Sequence, residues 1–99
     1  MTSGFAVPEE MKIQYLRRKV EELAASKEHI ANQNFDSVTT LAHQMKGNAV
    51  TFEFPLLAPL AAALENAAMN KNAFQAKESL EDIQKAVDGM LRRLLKNQK

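Results

Sequence analysis

FDSVTTLAHQMKGNAVTF, residues 35–52, places apolar side chains at Phe35, Val38, Ala42, Met45, Ala49 and Phe52. The steps alternate between three and four, the period of one helical face, and Leu41 widens the stripe. Asn34, just before it, is a residue type suited to an N-cap. Pro55, just after it, disfavours helical backbone at Phe54. The spacing predicts a helix over 35–53. Gly47 is out of place there, because glycine in a helix interior costs roughly 1 kcal/mol relative to alanine. It stands one turn after His43. At ~100° per residue, His43 falls roughly 140° from the centre of the apolar stripe and faces solvent. Thr39, Thr40, Lys46, Gly47 and Val50 share that outward face.

Three more helices flank this one. The first, over 8–32, opens on Pro8, Glu9 and Glu10, residues suited to a positive helix start. Its stripe is Ile13, Leu16, Val20, Leu23 and Ile30, interrupted at Lys27. The third, over 55–69, carries Leu57, Leu60, Ala61, Leu64 and Ala68. Pro59 would remove a hydrogen bond beyond the first turn, so its start should be irregular or later than Pro55. The fourth, over 73–96, follows Asn72, with Gln75 in a capping-box-like position. Ala76, Leu80, Ile83, Val87, Met90 and Leu94 form its stripe, and Arg92, Arg93 and Lys96 suit its negative end. Residues 1–7 are expected to be a flexible lead-in, and the last few to fray. The five methionines fall mostly on core stripes or the N-terminus and read as packing. Helices of this length on such short links must pack as antiparallel neighbours. The predicted fold is all-α, an antiparallel up-down-up-down four-helix bundle forming one domain over 1–99.

Composition narrows the function. A chain of 99 residues with 45% hydrophobic and 25% charged residues is an ordinary globular domain. Its net charge of +1 argues against nucleic-acid binding. The lack of cysteine excludes disulfides, thiol catalysis and Cys-type zinc sites. No apolar run approaches the ~18 residues of a membrane span, and the N-terminus has no signal-peptide pattern. These features lead to an expectation of a cytoplasmic protein. A bundle closed by its own four helices leads to one of a monomer. An opening Met and a capped first helix favour a stand-alone protein over a piece of a longer kinase.

A surface histidine, a nearby lysine and a helical glycine are each commonplace. On one face they suit a single chemistry. Removing the side chain at Gly47 opens the imidazole of His43 to a close visitor, because residues four apart are helix neighbours. Lys46 can bring positive charge to the same space, which suits an anionic reactant such as phosphoryl. His29, at the edge of the first helix's stripe, reads as structural or solvated. The two histidines lie on different helices without supporting ligands, so a metal pair is not expected. Periodicity alone leaves the function open.

LAHQMKGNAVTFEFPLLAPLAAALENAA, residues 41–68, resembles the signature of histidine-containing phosphotransfer (HPt) domains. In that family a helix carries His-x-x-Lys-Gly, then small residues, a Phe, a Gly-Phe-Pro-like link and a Leu/Ala-rich third helix ending near Leu-Glu. Here the matching residues are His43, Lys46, Gly47, Asn48, Ala49, Thr51, Phe52, Phe54, Pro55, Leu60, Leu64 and Glu65. LRRKVEELAASKEHIANQNFDSV, residues 16–38, is similar to the family's first helix and its turn into the second. Glu53 departs from the pattern, standing where the family usually has Gly, and Pro59 is also unusual.

The resemblance implies a phosphorelay intermediate without ATP-dependent kinase activity of its own. His43 would accept phosphoryl from an aspartate on a receiver domain. Lys46 would stabilise the phosphoryl group, and Gly47 would give the partner clearance. Thr39, Thr40, Gln44 and Val50 would be docking surface. Partners would be receiver domains of response regulators or hybrid histidine kinases. This domain would bind no cofactor, and the receiver would bring the Mg²⁺. The alternative is a non-catalytic helical adaptor that binds a receiver or a kinase without carrying phosphate. Such a protein would have no use for His43.

Overall fold

The computed structural model describes residues 6–98. Four helices account for its regular structure: α1 (Glu9–Ala31), α2 (Phe35–Thr51), α3 (Leu57–Met69) and α4 (Ala73–Asn97). There is no strand among the described residues. Consecutive helices pack on one another and α1 closes against α4, the ring expected of an up-down-up-down bundle. The expectation of a flexible lead-in lies outside the described residues at positions 1–5. The Val7 backbone N–H donates to Glu53 Oε2 at 3.1 Å.

The helix boundaries follow from capping chemistry. Asn72 caps α4 with its side chain, Oδ1 accepting from the Gln75 backbone N–H at 3.0 Å. Asn34 occupies the N-cap position of α2 but makes no side-chain cap. Its amide Nδ2 instead lies 3.3 Å from Nδ1 of His29, which is half-buried at the end of α1. The third helix starts at Leu57, later than Pro55, so Pro59 is its third residue. First-turn N–H groups have no intrahelical partner, and proline there costs nothing.

All three links use the same device. After α1, α2 and α3 the chain passes through one left-handed residue: Gln33 at φ 60°, Glu53 at φ 69° and Lys71 at φ 54°. Paired bonds close each end, such as Phe54 N–H to the Ala49 carbonyl at 2.7 Å and Glu53 N–H to the Val50 carbonyl at 3.0 Å. This is the Schellman arrangement, which usually employs glycine. Glu53 thus holds, with a side chain, a left-handed backbone that glycine holds without strain. Its carboxylate faces both the Val7 N–H and Lys12 Nζ, the latter at 3.4 Å. The Val7 N–H first, and Lys12 after it, hold the Glu53 carboxyl below the usual range.

The predicted stripes of α2, α3 and α4 supply the core, with Val38, Met45, Leu57, Leu64, Leu80 and Ile83 fully buried. The first helix differs from its predicted stripe. Lys19 and Ser26 are buried, whereas Val20 is 36% exposed and Lys27 faces solvent. The buried face of α1 is centred slightly earlier than the predicted stripe, taking in Tyr15, Lys19 and Ser26, each one position before a stripe position. Lys19 is accommodated by packing its stem. Its amine reaches Glu22 at 2.6 Å and lies 5.0 Å over the Tyr15 ring. Ser26 Oγ donates to the Glu22 carbonyl at 3.0 Å. Of the methionines, Met45 is buried and Met90 packs against the core, while Met11 and Met69 are exposed near helix ends.

Candidate functional site

His43 sits in the middle of α2, and its side chain is 69% exposed. Nδ1 of its ring lies 2.8 Å from Oε2 of Glu65 on α3. The other oxygen of that carboxylate, Oε1, accepts from Lys46 Nζ at 2.7 Å. One carboxylate therefore bridges both groups that the sequence singled out. The Lys46 hydrogen bond first, and the His43 bond second, hold the Glu65 carboxyl below the ordinary range.

That contact sets the tautomer. An ionised carboxylate only accepts hydrogen bonds, so the ring donates from Nδ1. A neutral imidazole with its proton on Nδ1 carries its lone pair on Nε2. Nε2 lies across the ring from the Glu65 contact, on a side chain open to solvent. The arrangement offers a nucleophilic nitrogen of fixed identity beside a cation.

Gly47 is exposed, and nothing lies within 4 Å of where its Cβ would stand. No packing inside the molecule requires glycine there. Val50, one turn further, is 55% exposed. Thr39, four residues before His43, is half-buried on the same helix. Thr40 and Gln44 line a groove of about 450 Å³ between α1 and α2, together with Glu22 and Asp36. They border the His43 face from the α1 side.

Sequence reasoning missed Glu65 as a member of this site. It stood in the matched motif, but its partners lie 22 and 19 positions away on another helix. The available signal was a lone carboxylate beside Leu64, with Ala61 and Ala68 one turn to either side. Asn48 was missed as well. Its Oδ1 accepts from the Tyr15 hydroxyl at 2.5 Å, fixing α2 against α1 one residue beyond Gly47. Tyr15 also stacks on Phe52, with ring centroids 4.5 Å apart, which anchors the end of α2.

Comparison with known proteins gave one finding. The family model of the Hpt domain matches residues 10–97. No curated protein and no solved structure matches the chain. The match spans nearly the whole bundle, including His43, Lys46, Gly47 and Glu65, and the chain belongs to the Hpt domain family.

Proposed function

We propose that this protein carries a phosphoryl group on His43 between receiver-domain aspartates. Hpt domains are phosphocarrier modules of two-component phosphorelays, and the family works with receiver domains and histidine kinases. The observation that carries the assignment to this residue is the bridge from Glu65 to both His43 and Lys46.

The step balances as follows. Nε2 of His43 attacks the phosphorus of an aspartyl phosphate, forming an N–P bond. The bond from phosphorus to the aspartyl oxygen breaks, and the carboxylate leaves with the electron pair. Positive charge develops on the ring, and Glu65 stabilises it through the Nδ1–H bond. Lys46 turns its amine from Glu65 toward the incoming phosphoryl oxygens. Gly47 leaves room for the partner's surface, and Val50 and Thr39 extend the docking face. Phosphoryl transfer depends mainly on positioning and charge stabilisation, which is what these residues supply. The Mg²⁺ of the reaction belongs to the receiver. Reversal of the same step delivers the group onward.

The test is phosphotransfer from purified, phosphorylated receiver domains, scored as acid-labile phosphate. Label on the protein that vanishes in His43→Gln supports the reading. Receivers that bind but never donate, with binding unchanged in His43→Gln, would move the protein to the adaptor reading.

A further inference from the structure

The α1/α4 side of the bundle carries a second feature, distinct from the His43 face. His43 and Glu65 lie between α2 and α3, and the ring of helices puts the α1/α4 seam on the opposite side. A groove of about 370 Å³ opens there, between the end of α1 and the start of α4. Ile30, Ala31, Phe74 and Leu80 give it a mostly apolar lining, and Lys27 and Lys77 complete it.

Three observations set this groove apart from ordinary surface. Phe74 is 71% exposed, although a phenylalanine ring offers roughly 150–250 Å² for burial. Lys27 stands where the apolar stripe of α1 would have continued and faces solvent. The groove is lined by both Lys27 and Lys77 and by no carboxylate. An apolar slot next to two cations is complementary to an apolar anchor flanked by carboxylates. The lining residues of α4 span about two helical turns, roughly 10 Å, enough to seat two turns of a helix.

We propose that the α1/α4 groove is a docking site for an acidic amphipathic helix of a partner protein. Its apolar anchor would lie against Phe74 and Ala31, above the buried Ile30 and Leu80, and its carboxylates would meet Lys27 and Lys77. Because the site lies across the bundle from His43, a docked partner leaves that histidine free. Such a tether would raise the local concentration of the carrier beside whatever protein holds the helix.

The probe is a short fluorescein-labelled helical peptide with leucines at i and i+4 and glutamates on both flanks. Its anisotropy should rise saturably with added protein and fall as salt is raised. Phe74→Ala, and Lys27→Glu with Lys77→Glu, should each weaken binding roughly tenfold. These positions are exposed, so the variants should fold, and circular dichroism checks this. Phe74→Ala should still accept phosphate from a free receiver, which separates this site from the His43 reading. Absence of saturable binding would overturn the proposal. So would equal binding of a lysine-flanked version of the peptide. Phe74-dependent binding to anionic vesicles would point to a lipid surface instead, and Phe74-dependent self-association in sedimentation to a second copy.

Discussion

At the scale of single residues, the proposed reactivity of His43 rests on one carboxylate, that of Glu65. Glu65→Ala should leave the helices intact and lower the rate of phosphotransfer by roughly tenfold or more, because an unoriented ring divides between tautomers. Single-turnover transfer from a phosphorylated receiver measures this. Gly47 makes the opposite kind of statement. Its Cβ would meet nothing, so Gly47→Ala should stabilise the protein by about 1 kcal/mol. In a domain of this size that is a rise in Tm of about 4–8 °C. Gly47→Phe should also fold, yet transfer poorly. If Gly47→Phe transferred like the wild type, the clearance role would fail. His43, Lys46 and Gly47 were legible because they share one helix, where spacing alone predicts a common face. Glu65 was not, because a contact between two helices has no period in the sequence.

At the scale of elements, the stripes of α2, α3 and α4 could be read directly, since each buries one face. The first helix could not, because its buried face takes in Lys19 and Ser26, which apolar periodicity passes over. Lys19 is buried there by virtue of its contacts with Glu22 and Tyr15, which periodicity does not encode. The links were legible in position but not in mechanism. Gln33, Glu53 and Lys71 all hold left-handed backbone without being glycine. Such backbone costs a non-glycine residue roughly 1–2 kcal/mol. Lys71→Gly should therefore stabilise the protein by up to about 1 kcal/mol, measured by urea unfolding. Glu53→Gly should gain less, because it gives up the bonds to Val7 and Lys12. Equal gains at the two positions would show that the tie to Val7 contributes nothing.

At the scale of the whole molecule, the stack of Tyr15 on Phe52 and Phe54 joins α1 to the α2–α3 link. Burial, with the Glu22 charge second, pushes the Tyr15 hydroxyl up to about 12. A raised pKa means that the fold favours the neutral phenol. The associated stability is fully present below the unfolded value near ~10 and is lost as pH climbs from there through about 12. Tyr15 is the one tyrosine and there is no tryptophan, so ultraviolet titration reads it without interference. A midpoint at the ordinary value in the folded protein would contradict the buried placement. All-helical class, bundle architecture and the His43 face were legible in the sequence because local period and short links dictate them. The α1/α4 groove was not, because it arises only where the end of α1 meets the start of α4.

The role of His43 is tested most directly by nitrogen-resolved NMR of the histidine rings, before and after phosphotransfer from a receiver domain. Neutral His43 should carry its proton on Nδ1, and phosphorus should then couple to Nε2 of His43. Phosphorus on Nδ1, or on His29, would contradict it.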